Sequence, residues 1–312
     1  MKFERAYVPV NSTWFSPFAR WQGPLADVSS IDLAVDVARR ALRDRRIEPA
    51  SLGMLVLGQS IPQPGSFYAP PTIAARIGAA GISGPAIAQA CATSAACLGH
   101  AAAAVELGED RPVLVLTTDR TSNGPVLIYP QTSSSGGAPI TEQWVLDSFK
   151  CDPWAGHSML EIAEFVAKEE SISREEMDEV TALRYAQYRA SLENDRAIQR
   201  RAMVPVEIRK GKKQTTTIDA DVGVHDTSLE ALAKLPVVLD DGRITYGTQT
   251  HPADGTAGVV VTGRARAREI AAGRGSLRVL ATAFARADRA RMPKAPVVAA
   301  RALLNEAGLT MT

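Results

Sequence analysis

The sequence predicts an α/β fold made of two lobes, or of one large unit with an insertion. Its 312 residues are too many for one small core. Patterns typical of helices and strands alternate along the first part of the chain. A stretch rich in Ser, Gly, Pro and Thr then runs over 119–139 and is too long for an ordinary connection. We therefore expect a body of sheets and helices that carries an inserted domain.

The first part of the chain contains two predicted helix and strand pairs. An amphipathic helix over 30–45 precedes the apolar run Met54–Gly58, which predicts a strand of a parallel sheet. Residues 92–107 are almost all small and apolar, which predicts a helix buried on all sides between sheets. The run 113–116 after it predicts a buried central strand.

The rest of the chain returns to helical spacing over 156–170 and 173–191. The second of these helices opens with Ser173 followed by Glu176, a capping box. The remaining predicted elements are a short helix over 228–235, a strand within 255–262, a solvated linker over 264–274, a strand over 277–284 and a helix over 296–307.

Charge and composition indicate a small-molecule partner. The 35 basic residues nearly balance the 34 acidic ones, for a net charge of +1, which predicts no nucleic-acid or membrane partner. There is no charged and apolar leader and no run near the roughly 18 apolar residues that span a bilayer, so we predict a cytoplasmic protein. The three cysteines fit neither a disulfide framework nor a zinc site, and we predict no metal or redox cofactor.

Cys91 is the candidate nucleophile because it directly precedes the apolar helix. The N–H groups and the positive dipole end of a helix N-terminus favour the thiolate, which is the reactive form. The same N–H groups can hold a carbonyl oxygen that becomes negative during acyl transfer. Cys97, inside the helix, is predicted to be a small core hydrophobe, and Cys151 is given no role.

Four residues at this helix start, Cys91-Ala92-Thr93-Ser94, resemble the nucleophile segment of thiolases and ketoacyl synthases. Segments 163–167, 172–178, 204–208 and 228–235 resemble the thiolase loop domain, in thiolase order. The resemblance implies a layered α-β-α-β-α fold of two similar halves. It assigns 1–118 and 237–270 to the N-terminal half, 119–236 to the inserted loop domain, and 271–312 to the start of an incomplete C-terminal half.

A thiolase reaction is what the resemblance implies for Cys91. The cysteine attacks a 3-ketoacyl-CoA, holds the acyl group as a thioester and passes it to coenzyme A; the reverse direction is a Claisen condensation. Coenzyme A and acyl-CoA are then substrates, and no cofactor stays bound. The resemblance also implies a homodimer or a dimer of dimers, with an additional subunit as a further possibility.

Four further residues are candidate coenzyme A contacts by the same resemblance. Met159 and His157 fall at the family's pantetheine-contacting pair, with the histidine one place early. His225 stands near a phosphate-facing arginine of the family, and the hydroxyl of Thr250 is placed to hold the pantetheine or adenine end.

Other side chains are given structural roles. His100 is predicted to be a core histidine and His251 part of a turn. Core filling is favoured over an acyl pocket for five aromatic residues: Phe67, Tyr68, Trp144, Phe149 and Trp154.

The family's activating histidine, its further oxyanion-hole residue and its second cysteine belong to a C-terminal stretch that we expect to lie outside this sequence. Two alternatives therefore stay open beside the thiolase. One is a thiolase-like subunit without catalysis of its own, or one completed by a partner. The other is a ketoacyl synthase, for which Cys91 is the only argument.

Overall fold

The main sheet has six strands around two long central ones. The computed structural model describes residues 1–131, 133, 135–210 and 214–311. The strands of the sheet are β2 Thr13–Phe15, β3 Ala19–Arg20, β4 Met54–Gly58, β5 Ala86–Ile87, β6 Val113–Asp119 and β11 Ala253–Val261. They follow the order β2-β11-β6-β4-β5, and β3 pairs with β11.

The sheet is mixed, whereas the sequence pattern predicts a parallel one. β4 runs parallel to β5 and β6, but β11 runs antiparallel to β6, with Val261 opposite Val113. The chain reaches β11 only after the long excursion that follows β6, so no single crossover helix constrains its direction. The carboxyl ends of β4 and β6 therefore lie beside the start of β11.

Each face of this sheet is covered by one long helix. Leu114 and Leu116 belong to the core with α1 (Ser30–Asp44), whereas Val113 and Val115 belong to the core with α3 (Thr93–Glu106). This division follows from the two-residue period of a strand. The predicted helices over 30–45 and 92–107 and the strands at Met54–Gly58 and 113–116 are thus confirmed.

The outer side of α3 is open, which corrects two predictions. Ser94, Ala95 and His100 are exposed, so the helix is not buried on all sides and His100 is not a core residue. Alanine-rich helices show no polar face in their sequence, so composition could not distinguish the covered side from the open one. Close packing is seen at Gly99, where a Cβ atom would lie 3.1 Å from Cγ2 of Thr282.

The excursion between β6 and β11 has its own helices and two hairpins. Its elements are β7 Val126–Tyr129, β8 Ile140–Gln143, α4 Leu146–Lys150, α5 Met159–Glu169, α6 Arg174–Ser191, α7 Glu193–Ala202, β9 Val206–Lys210, β10 Gln214–Ile218 and α8 Leu229–Ala233. The capping box of Ser173 and Glu176 is confirmed at the start of α6. A second one, of Ser158 and Glu161, starts α5 three positions later than predicted.

After β11 the chain forms α9 (Arg264–Ala271), so the prediction of a linker over 264–274 is wrong. Ala267 and Ala271, four positions apart, are buried while the arginines stay in solvent. The predicted strand over 277–284 is only Ser276–Arg278 (β12), which pairs with β1 (Tyr7–Pro9). The final predicted helix is confirmed as α10, Ala295–Ala307.

Within the described ranges, no helix is long and apolar enough to cross a membrane.

Candidate active site

A cavity of about 200 Å³ opens beside Cys91 at the carboxyl ends of β4 and β6. Its wall is formed by the helix start, the ends of β4 and β6, the first half of β11, and Phe18, which lies between β2 and β3. Its lining residues are Phe18, Gly58, Ala90, Cys91, Thr93, Ser94, Thr117, Thr118, Asp119, Ala253, Gly255, Thr256 and Ala257. The exposed Cys91 thus lies at the end of the sheet where open α/β folds bind ligands.

The cysteine is held on a tight turn, the 3₁₀ segment Ala90–Ala92, which leads into α3. Ala90 has φ of 44°, in the left-handed region, which costs a residue with a Cβ atom about 1–2 kcal/mol. The Thr93 hydroxyl offsets this strain: it accepts from the Gln89 N–H (2.8 Å) and donates to the Ala90 carbonyl (2.7 Å). Thr93 therefore fixes the turn that presents Cys91.

Two backbone N–H groups next to Cys91 are already used within this turn. The N–H of Ala92 donates to the Gln89 carbonyl, and the N–H of Thr93 donates to the Ala90 carbonyl. The sequence predicts that N–H groups at the helix start hold a developing oxyanion. The N–H groups of Ala92 and Thr93 can bind an oxyanion only if the turn opens, or if each N–H group is shared between its present carbonyl and the oxyanion.

Asp119 supplies the carboxyl group of the cavity. It accepts from the Ser60 N–H (3.0 Å), the Ile61 N–H (2.9 Å) and the Ser60 hydroxyl (2.5 Å). Burial raises the pKa of Asp119, and these hydrogen bonds act against the shift. The carbonyl of Ser60 in turn accepts from Nε1 of Trp144 (3.0 Å). Asp119 thus connects the floor of the cavity to the segment before α4.

The three cysteines have different environments, which predicts a labelling pattern. Cys97 is fully buried, and burial raises the pKa of its thiol to about 11, whereas Cys91 and Cys151 are exposed. Because its folded-state pKa is raised, the neutral Cys97 thiol stabilises the fold below its ordinary pKa, and this contribution is lost as the pH rises through 11.

We expect iodoacetamide at pH 8 to modify Cys91 and Cys151 in the native protein and Cys97 only in urea. Peptide mapping by mass spectrometry measures this. Native labelling of Cys97 at the rate of Cys151 would contradict the burial described here.

None of the four predicted coenzyme A contacts lines the cavity. His157 and Met159 lie at the start of α5, and the His157 Nδ1 atom is 3.7 Å from the Glu161 carboxylate. Thr250 and His225 are exposed in the loops before β11 and α8. Whether they contact coenzyme A stays a prediction.

His251 lies in the irregular loop directly before β11, so the predicted turn is not seen at this residue. Its ring nitrogens lie 3.1 Å from the carbonyls of Pro252 and Gly223. The five aromatic residues predicted as core form no common core. Phe67, Tyr68, Phe149 and Trp154 are exposed. These four residues do not line the cavity either.

Sequence reasoning missed Phe18, Thr117, Asp119 and Thr256 as cavity residues. Asp119 is the last residue of the buried strand β6, which is a usable signal, since the carboxyl ends of parallel strands meet at one edge. Phe18 and Thr256 carry no such signal, because distant strand pairing brings them to the cavity. Thr256 lies opposite Thr118 in the antiparallel pair of β11 and β6, and Phe18 lies between β2 and β3, which both pair with β11. In the described part of the chain, no group of three or more His, Cys, Asp or Glu residues could hold a metal ion.

Fold and site together define a layered α/β protein with a cysteine turned into a cavity at the strand ends. The family profile described as "Thiolase, N-terminal domain" matches residues 8–265. An acetyl-CoA acetyltransferase of Yarrowia lipolytica is 27% identical over 302 residues, which cover 95% of this chain and 73% of that protein. The beta-ketothiolase BktB of Cupriavidus necator is 30% identical over 303 residues, covering 93% and 74%.

Solved structures agree on the fold. Human mitochondrial 3-ketoacyl-CoA thiolase superposes with a TM-score of 0.83 at 22% identity, covering 98% of this chain and 77% of that one. An acetyl-CoA acetyltransferase from Syntrophomonas wolfei superposes with a TM-score of 0.82 at 24% identity, covering 99% and 77%. The chain belongs to the thiolase family, whose activity is acyl transfer of the thiolase type.

Proposed function

We propose that Cys91 is the nucleophile of reversible acyl transfer between a 3-ketoacyl-CoA and coenzyme A. The observation that carries this proposal is the position of Cys91: an exposed thiol on a tight turn at a helix start, opening into a cavity. The names of the relatives, acetyl-CoA acetyltransferase and beta-ketothiolase, support the substrate class.

The proposed reaction has two steps that share one thiolate. The Cys91 sulfur bonds to the 3-keto carbon, the bond between carbons 2 and 3 breaks, and carbon 2 takes up a proton to leave as acetyl-CoA or another acyl-CoA. The thiol of a second coenzyme A then bonds to the acyl carbon, the Cys91 thioester breaks, and the thiol proton returns to the cysteine. No electrons enter or leave, so no redox partner is required.

Coenzyme A is proposed to lie between this cavity and the start of α5. His157 and Met159 are the proposed pantetheine contacts, and Thr250 and His225 the proposed contacts of the outer end. A crystal structure of the human mitochondrial 3-ketoacyl-CoA thiolase in complex with CoA has this fold, with a TM-score of 0.83. The domain boundaries, the cytoplasmic location and the homodimer or dimer of dimers stay predictions.

A mass measurement tests the proposal. After incubation with acetoacetyl-CoA or acetyl-CoA we expect the intact chain to gain one acetyl group, carried by the peptide that contains Cys91. Hydroxylamine should remove it, because a thioester is cleaved by that amine and an amide is not. An adduct on a lysine only would contradict the assignment of Cys91.

A second candidate is a thiolase-like subunit whose active site is completed by another polypeptide. The first observation that favours it is that the residues lining the cavity in the described structure include no histidine to activate Cys91. Large apolar side chains near and on α10, among them Phe284, Val297 and Val298, are also exposed. A folded chain that takes up no acetyl group by itself would favour this candidate.

A further inference from the structure

The segment between β12 and α10 lies against α5, the helix that begins beside His157. The Arg286 guanidinium lies 4.9 Å from the centre of the Trp154 ring, and Arg291 lies 5.7 Å from that of Phe165. Nη2 of Arg289 lies 3.8 Å from where a Cβ atom on Gly156 would stand. A cation placed over an aromatic ring is attracted to the electron-rich face of that ring. Three arginines of this segment thus lie close to α5 or to the residues just before it.

Two cations of this segment also pair with the end of α5. Nζ of Lys294 is 2.6 Å from Oε1 of Glu169 and also contacts Glu170. Nε of Arg291 donates to the other oxygen of Glu169. The hydrogen bonds from Lys294 and Arg291 lower the pKa of Glu169, and those to Glu169 and Glu170 raise the pKa of Lys294. Both shifts keep Glu169 and Lys294 ionised at neutral pH. Arg291, Lys294, Glu169 and Glu170 are called the α5 clamp below.

The two cations of the clamp, Arg291 and Lys294, lie on a short hydrogen-bonded turn. The Arg291 N–H donates to the Asp288 carbonyl (3.0 Å), and the Lys294 N–H donates to the Arg291 carbonyl (2.9 Å). Arg291 and Lys294 are thus fixed three positions apart immediately before α10. Fixing the turn reduces the entropy that two long side chains lose when they pair.

A line of contacts connects the clamp to the proposed coenzyme A site. Arg291 lies over the Phe165 ring, and Phe165 meets the His157 ring edge to face, with centroids 4.9 Å apart. His157 directly precedes Ser158, which caps α5, and Phe165 lies on α5 itself. A shift of α5 would therefore move His157 and Met159 together.

We propose that the α5 clamp positions His157 and Met159 for coenzyme A. Arg291 and Lys294 then set the affinity of the protein for coenzyme A without contacting coenzyme A. This inference rests on the proposed function, because it takes His157 and Met159 as contacts of coenzyme A. The clamp joins the inserted region, which contains α5, to the segment before α10. Tight binding of coenzyme A therefore requires that this segment be packed against α5.

The competing explanation is a direct attraction between Arg291, Lys294 and the phosphates of coenzyme A. The two explanations predict opposite signs for one variant. Glu169→Gln with Glu170→Gln removes two negative charges: direct attraction then tightens binding, because the cations are freed. Positioning instead weakens binding, because the helix is released.

The experiment measures how desulfo-coenzyme A protects Cys91 from iodoacetamide in the full chain, and it requires no turnover. Desulfo-coenzyme A is used because it has no thiol to consume the reagent. We expect the half-protecting concentration to rise about three- to tenfold both for Glu169→Gln with Glu170→Gln and for Arg291→Ala with Lys294→Ala, as two exposed pairs are lost. The labelling rate without ligand reports whether the turn at Cys91 is disturbed, and we expect it to stay within about twofold.

The matched control is Arg266→Ala, which breaks an exposed ion pair with Glu269 (2.6 Å) on α9, outside the clamp. It should leave the half-protecting concentration unchanged. An unchanged or lower concentration for the glutamine variant overturns the inference. If desulfo-coenzyme A does not protect wild-type Cys91 at all, the proposed function fails instead, and the two failures are distinguishable.

Discussion

Replacement of Cys91 by serine is expected to lower acyl uptake by at least about a thousandfold while leaving the fold intact. Serine fits the same space, since Cys91 is exposed on the turn and its sulfur is not part of the core. A serine hydroxyl is hardly ionised at neutral pH and needs a base to become nucleophilic, and the described residues that line the cavity include no histidine. The rate at which the intact mass increases with acetoacetyl-CoA measures this effect.

The matched control is Cys151→Ser, which changes the other exposed thiol. Its acyl uptake should equal that of the unmodified protein. Comparable uptake by Cys91→Ser, or loss of uptake in Cys151→Ser, would show that Cys91 is not the nucleophile.

Substitution of Gly58 by valine is expected to destabilise the protein by about 3 kcal/mol, as overpacking of a tight core does. Gly58 ends β4 beneath the nucleophile turn. A Cβ atom there would lie 2.9 Å from Sγ of Cys97 and from the Cγ2 atoms of Thr117 and Thr93. These are short, branched or buried side chains that cannot swing away. Displacement of Thr93 would also loosen the turn that holds Cys91, so the folded protein should take up acyl groups more slowly.

A shift of the urea midpoint of unfolding measures the loss of stability. Gly81→Val is the control, because a Cβ atom at Gly81 meets nothing within 4 Å. That variant should stay within about 0.5 kcal/mol of the original protein. Equal midpoints for the two variants would contradict the packing described around Gly58.

How far the sequence predicts this molecule depends on how local each signal is. The helices over Ser30–Asp44 and Arg174–Ser191 have their periodicity and caps within one stretch, and they were predicted nearly to the residue. The linker at 264–274 was predicted wrongly because its arginines dominate the composition. Only contact with the body shows that Ala267 and Ala271 form a buried stripe of a helix.

The sequence by itself determined the α/β class, the position of Cys91 at a helix start and, through its loop-domain segments, the resemblance to thiolases. These are properties of short segments. The tertiary structure alone decided that β11 runs antiparallel to β6, that Phe18, Asp119 and Thr256 meet at Cys91, and that the segment before α10 is clamped to α5. Such contacts join residues far apart in the chain. Strand pairing and charge pairing between distant segments depend on how the elements pack, and no local pattern of the sequence encodes that packing.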